Sequence, residues 1–295
     1  MCAAAVEMIK RLEEENNIIF IKTYGLESEV APEIVEEAIN HARPDREQEM
    51  KRLISYAIGC MMGRYSLDKP GLIYAHSGNG SFDSSQYKTF PADPDGIIPI
   101  SDVDWFEDDA ANRIAEFIGV AWPREHLEEN LKFIADSLGP SRDEQPRDTI
   151  RRYLAQSFFK DHLKTYKKRP IYWLFSSGKQ RAFQCLVYLH RYHEGTLSRM
   201  RTEYVIPLQG KITARVDHLD DDSKRATPTS HRRRLEKERD TLIRQRVELQ
   251  AFDEKLRHYA DLRISLDLDD GVKVNYGKFG DLLAEVKAVT GGSEE

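Results

Sequence analysis

Cysteine is scarce in this chain. Cys2, Cys60 and Cys185 stand far apart, with neither the paired spacing of a disulfide framework nor that of a cysteine zinc site. Long apolar runs are missing too. None approaches the ~18 residues that a membrane-spanning helix requires. The opening MCAAAVEMIKRLEEENN lacks the basic stretch and apolar core of a signal peptide. These absences predict a cytoplasmic protein without membrane contact. There is no G-x-S-x-G, no H-E-x-x-H, no P-loop and no internal repeat. Gly78-Asn79-Gly80 is half of a phosphate loop, lacking the third glycine and the strand-loop-helix setting. His190-x-x-His193 has ligand-like spacing, but it follows a strand pattern and no third ligand lies nearby. No metal is expected.

What is present is charge, unevenly spread. The chain has 295 residues, 40% of them hydrophobic, enough for a sizeable core and for two compact units. Charged residues make up 32%, and mean hydropathy is -0.61, as in proteins with long exposed helices. The net charge of -6 conceals a basic segment. Between Arg142 and Arg201 there are 14 Lys and Arg against 5 Asp and Glu. One surface suited to a polyanion is a natural reading of such asymmetry; scatter of charge over helices is the other. Conversely, Asp93 to Asp109 holds seven acids and no base. It reads as a solvated loop, or as a docking surface for a partner.

Periodicity predicts an α/β, mostly helical fold with three regions. Residues 1–66 read as a helical connector, with an apolar stripe at Leu53, Ile54, Ala57, Ile58 and Met61. Within it, the segment NNIIFIKTYG, ending at Gly25, fits either continued helix or a short buried strand. Residues 67–218 read as a mixed α/β region. It has strand candidates at Leu72 to Ala75 and Ile97 to Ile100 and a loop from Ser77 to Gly96. Helices follow around Ile114 to Ile118 and Leu127 to Leu138, then a basic helix from Asp148 to Tyr166 whose apolar face leaves Arg151, Arg152, Lys160 and Lys164 outside. Ile171 to Phe175 and the alternating Phe183, Cys185, Val187 and Leu189 form a β-hairpin. Pro207 should kink or split the next helix. Residues 219–295 carry a polar, mobile connection (Asp220 to Thr229) and a long helix. Its Leu235, Leu242, Leu249 and Leu256 recur every seven residues; Arg239, Arg246 and Asp253 on the second seam position favour packing on the preceding helix over a free coiled coil. A β-hairpin over Ile264 to Val274 and a short helix over Leu282 to Val289 close the chain.

The hairpin and its flanks are the candidate site. Lys167, Lys168, Arg169, Arg191, Arg199 and Arg201 supply cations for phosphates, while Ser176, Ser177, Lys179, Gln180 and Arg181 form a narrow basic tip that could enter a DNA groove. Tyr172, Trp173 and Phe175 fit a core better than a base-stacking platform.

KKRPIYWLFSSGKQRAFQCLVYLHRYHEGTLSRMRTEYVIPLQGKI (Lys167 to Ile212) resembles the C-terminal region of the PglX family, adenine-specific DNA methyltransferases of BREX phage-defence systems. LISYAIGCMMGRYSLDKPGLIYA (Leu53 to Ala75), IIPISDVDWFEDD (Ile97 to Asp109) and LDDGVKVNYGKFGDLLAEV (Leu268 to Val286) agree with it in the same order. The resemblance implies duplex DNA as partner, an upstream domain that binds S-adenosylmethionine, and an Asn-Pro-Pro-Tyr-type motif there for the flipped adenine. No such motif or Gly-rich cofactor loop occurs in this sequence; Asp93-Pro94-Asp95-Gly96 is the nearest string. The expectation is therefore a C-terminal fragment or separately encoded half, with no catalytic, cofactor or metal residues of its own. It would recognise DNA for an upstream methyltransferase half, alongside other BREX proteins. Two rivals are a protein-interaction module that docks defence proteins or a phage inhibitor, and a remnant that keeps the fold without activity.

Overall fold

The computed structural model describes residues 2–35, 45–76 and 80–291, with side chains from Val6 onward. Gly78 and Asn79, and with them the half phosphate loop, lie outside the described residues, as does part of the expected connector. Contacts divide the chain into two units, Met1–Met50 and Lys51–Glu295.

The first unit contains helix α1, Cys2–Tyr24. The ambiguous NNIIFIKTYG segment is helical up to Tyr24. Gly25, at φ 67, then adopts the left-handed conformation. Gly25 N–H bonds to the Lys22 carbonyl and Leu26 N–H to the Ile21 carbonyl, the paired pattern that closes a helix on a glycine. The chain then returns along the helix: Ile34 N–H donates to Glu14 and the Asn17 amide to the Pro32 carbonyl.

Helix α2, Arg46–Met61, starts on Asp45, whose carboxylate accepts from Glu47 and Gln48 N–H. It buries Ile54, Ala57, Ile58, Cys60 and Met61 in the second unit. The loop beyond is organised by Asp68, which accepts from the amides of Lys88 and Thr89 and from the Thr89 hydroxyl. Leu72 to Ala75 is not a strand. Leu72 is exposed and Ile73 makes a single backbone bond, to the Arg64 carbonyl, so no ladder exists for the run to join.

Strand β1, Ile97–Ile100, is wholly buried. Helix α3, Ala110–Ala121, is capped by Asp109, and α4, Leu127–Leu138, stops at Gly139 with φ 74. The basic helix forms as α5, Pro146–Tyr153, and α6, Phe159–Thr165, joined by a π-helical segment over Leu154–Phe158. Arg151 does not decorate its surface. It is buried, pairs with Asp109 and lies 3.5 Å from Asp104. The acidic run is likewise no uniformly solvated loop, since Asp93 and Asp109 are buried and β1 runs through it.

Strands β2, Tyr172–Ser176, and β3, Gln184–Tyr188, form the expected hairpin. The antiparallel sheet has the order β1-β3-β2, with Val187 opposite both Ile97 and Trp173. β2 is closed on its outer side by the tail, where Phe175 pairs with Leu283 and Ala284 N–H bonds to the Leu174 carbonyl. Tyr172, Trp173 and Phe175 are core residues.

Helix α7, Thr196–Arg199, leads through a π-helical segment, Met200–Val205, into α8, Ile206–Arg225. Pro207 comes just after the π-helical segment, so the ring that was expected to kink or split the helix sits beside a local change in its winding. The polar connection is shorter than expected, because α8 runs to Arg225 and α9, Thr229–Asp261, follows at once. The leucine seam of α9 packs with Leu208, Ile212, Val216 and Leu219 of α8 in one buried layer. Two of its three charged seam positions form ion pairs: Arg239 pairs with Asp220 and Asp253 with Arg201.

The tail is helical where a β-hairpin was expected. Asp267 caps a 3₁₀ turn, Leu268–Asp270, and α10, Gly271–Gly277, follows. The Asn275 side chain donates to the carbonyls of Asp267 and Gly271 and accepts from Asp267 N–H. These bonds wind up the Asp-Asp-Gly segment that would otherwise turn a hairpin. Only Val286–Thr290, α11, is helical in the last expected helix, because Leu283 is held extended against β2.

Leu249 is fully buried in the α8–α9 layer, whereas Leu72 is 56% exposed. Leu249→Ala should lower unfolding free energy by about 2–5 kcal/mol in urea titrations. Leu72→Ala should stay within about 0.5 kcal/mol of the parent.

Candidate nucleic-acid interface

The connection from α6 to β2 is fixed from below. Lys167 and Lys168 have φ of 51 and 61, a conformation that costs roughly 1–2 kcal/mol per non-glycine residue. Their N–H groups bond to the Lys164 and Leu163 carbonyls, and Arg169 N–H to that of Tyr166. His162 then receives Ile171 and Tyr172 N–H on Nε2, at 3.1 and 3.2 Å. Burial, and then the nearby charge of Arg64, push the His162 pKa down to about 3, so the ring stays neutral and keeps this acceptor. The result is a rigid turn that exposes Lys167, Lys168 and Arg169. No hydrogen bond or ion pair engages their side chains among the described residues.

The hairpin tip is held differently. Glu248 of α9 accepts from the Ser177 hydroxyl at 2.7 Å, from Gln180 N–H at 2.7 Å and from Ala182 N–H at 3.3 Å. The Ser177 hydroxyl in turn accepts Phe183 N–H at 2.9 Å. Gly178, at φ 134, passes so close that a Cβ would sit 2.9 Å from the Glu248 carboxylate. Gln245 donates to the Gln180 carbonyl. The tip therefore lies clasped on α9 rather than standing free. Ser176 is half-buried and accepts weakly from Gln184, and Ser177 is committed to the clasp. Lys179 and Gln180 are exposed and Arg181 is partly so.

Of the other three arginines, Arg191 and Arg201 serve the fold, and Arg199 is exposed. Arg191 lies 3.7 Å from the centre of the Phe82 ring and donates to the Asp93 and Pro94 carbonyls at 2.6 and 2.8 Å. Arg199 pairs with Glu203 and Arg201 with Asp253. Of the residues singled out from sequence, the structure thus places two basic groups, without ion-pair partners among the described residues, at the two ends of β2. Lys167, Lys168 and Arg169 precede it; Lys179 and Arg181 follow it. They are separated by the strand's five residues, roughly 15 Å at the usual rise. Glu248 was not foreseen. It sits 71 positions from Ser177 on the charged flank of a heptad helix, where nothing local distinguishes it from a solvated glutamate.

The strip gripped by Arg191 contains a perturbed acid. Burial first, then Asp95 beside it, raise the Asp93 pKa to about 7, although Asp95 and Gly96 N–H both donate to its carboxylate. A folded-state pKa above the unfolded value of ~3.9 means that folding favours the protonated acid. The Asp93 contribution is therefore complete below about pH 4 and lost as pH rises through about 7. Asp93→Asn, which keeps the acceptor, should flatten the stability–pH curve over that window in denaturant titrations. A second expectation concerns the clasp. Glu248→Ala should accelerate amide exchange at Gln180 and Ala182 and cost about 1–3 kcal/mol.

Among the described residues, no helix is long and apolar enough to cross a membrane, and no group of three or more His, Cys, Asp or Glu could hold a metal ion. No protein-family model matches the sequence. Two relatives do. An adenine-specific methyltransferase BrxX of Escherichia coli O9:H4 (strain HS) is 58% identical over 259 residues, 85% of this chain and 21% of that protein. An adenine-specific methyltransferase PglX of Lacticaseibacillus casei (strain Zhang) is 44% identical over 273 residues, 92% of this chain and 22% of that protein. The chain spans about a fifth of the length of these relatives.

Proposed function

We propose that this chain, homologous to one segment of the BrxX- and PglX-type adenine-specific methyltransferases, is the DNA target-recognition portion of such an enzyme in a BREX phage-defence system. The observation that carries the reading is the rigid, exposed Lys167-Lys168-Arg169 turn, whose side chains have no acidic partner among the described residues. Cations held out on a fixed backbone suit phosphate contacts, because little ordering is left to be done on binding. At the far end of β2, Lys179, Gln180 and Arg181 project from the clasped tip and are the candidates for reading base edges. Ser176 and Ser177 shape that tip from within. Arg191 and Arg201 hold the surrounding fold through the partners described above, and Arg199 stands exposed beside Glu203.

The cofactor expected of such an enzyme is S-adenosylmethionine. On this reading the cofactor would be bound by the upstream part of the enzyme, and no step of methyl transfer is assigned to residues of this chain. A protein-docking role has one observation in its favour: α1 leaves Met8, Leu12, Ile19, Phe20 and Tyr24 more than half exposed.

Fluorescence anisotropy with duplex DNA across a salt series separates these readings. Binding should weaken steeply with salt, and replacing Lys167, Lys168 and Arg169 by glutamine should reduce the slope of log K against log salt by about 0.9 for each phosphate no longer neutralised. Alanine at Lys179, Gln180 or Arg181 should change which duplexes are preferred. Unchanged preference would remove base reading from the tip. Absence of binding at low salt would overturn a self-sufficient DNA module and leave protein docking.

A further inference from the structure

The side chain of Arg64 is unlike the other interior arginines. Arg151 and Arg201 face carboxylates, and Arg191 is held by two carbonyls. Arg64 is half-buried, yet among the described residues it bonds only to phenols: Nη1 to the Tyr188 hydroxyl at 3.2 Å and Nε to the Tyr65 hydroxyl at 3.4 Å. The Tyr188 hydroxyl gives its own proton to the Tyr74 carbonyl at 2.7 Å, so it serves Arg64 as a neutral acceptor. A guanidinium has five N–H donors, and these bonds occupy two of them.

The surroundings are neutral as well. The charge of Arg64 reaches His162 and His190, whose pKa values are pushed down to about 3 and about 4, mainly by burial and then by Arg64. Neither ring can therefore share or offset its charge, and the Nδ1 atoms of both are buried without a partner. Tyr172, fully buried, closes the same neighbourhood. The backbone is fixed on both sides: Arg64 N–H bonds to the Gly59 carbonyl and the Arg64 carbonyl accepts from Ile73. A Cβ on Gly59 would lie 3.0 Å from the Tyr172 hydroxyl and closer still to the Tyr65 ring, so glycine is what lets these rings gather here.

Burial disfavours the Arg64 charge, but its hydrogen bonds to Tyr65 and Tyr188 more than offset this and keep the guanidinium charged; its remaining N–H donors suit an anion that arrives with several acceptor oxygens. We infer that Arg64 is the centre of a phosphoryl-binding subsite, filled by a backbone phosphate of the nucleic acid. The link to nucleic acid is positional. Packed rings connect the two: the ring of Tyr188, the partner of Arg64, lies 5.4 Å from Tyr172, Tyr172 lies 4.9 Å from His162, and His162 lies 4.6 Å from Tyr166, which immediately precedes the exposed Lys167-Lys168-Arg169 turn. The turn would gather phosphates by charge, and the fork of Arg64 would fix one of them. Only the source of the phosphate rests on the DNA-recognition reading; the subsite itself does not.

The probe is inorganic phosphate, added to the whole chain without DNA, with chloride at matched ionic strength as reference. The nitrogen resonance of Arg64 Nε should shift saturably, and the melting temperature should rise with phosphate but not with chloride. Arg64→Lys should weaken the effect about tenfold or more by removing the fork, and Arg64→Gln should abolish it. An Arg64 resonance indifferent to phosphate in the unaltered protein overturns the subsite, whether or not the variants fold. In the DNA arm, Arg64→Gln should lower the salt slope by about 0.9 with the lysine turn intact. A retained phosphate response with an unchanged slope would assign the subsite to a free phosphorylated ligand and overturn the nucleic-acid source.

Discussion

Strand β3 is the member on which the second unit is hung. All five of its residues, Gln184 to Tyr188, are buried, and it is the central strand of the sheet, with a neighbouring strand on either side. β1 brings the acidic strip and the start of α3 to one side; β2 brings the lysine turn and the tail to the other. Burial on both faces explains why its sequence, Gln-Cys-Leu-Val-Tyr, carries no charge. It also explains why the polar ends of its side chains must find partners beyond the sheet, as Tyr188 does with Arg64 and Tyr74.

The surplus of positive charge in this region is divided between two roles by burial. Where an arginine sinks into the fold it is matched locally: Arg151 with Asp109, Arg191 with carbonyls of the acidic strip, Arg201 with Asp253. Desolvated charge must be paired to be tolerated. Where the chain turns outward, as at Lys167 to Arg169, water screens the charge and no partner is needed. A linear charge count mixes these populations, and only the second is available to a polyanion.

Much of the architecture was legible because it follows from local rules. The continuous apolar run at Ile171 to Phe175, the alternation after Phe183 and the leucine heptads of α9 each name their element unaided. The misreadings have a common cause in side chains acting across distance. Asn275 winds a segment that reads as a hairpin turn, and β2 holds Leu283 straight where helix was expected. Leu72 to Ala75 has strand composition but no neighbour to pair with. At the candidate site, the exposed lysines were visible as a charge run. The commitments of Ser177 and Arg191 were not, since Glu248 and Phe82 lie 71 and 109 residues away in the chain.

The Glu248 clasp has a consequence for how such a site can change. Apart from the Ser177 hydroxyl, the carboxylate takes hold of peptide N–H groups, and these are present whatever side chain the residue carries. Gly178 is barred from substitution by the approach of the carboxylate and by its own backbone angle, but Lys179, Gln180 and Arg181 contribute no side chain to the grip. The loop is therefore an exchangeable head on a fixed handle: the side chains at 179 and 180 can be rewritten by point substitution while the main chain keeps its shape, and at 181 the left-handed backbone, φ 49, narrows the choice.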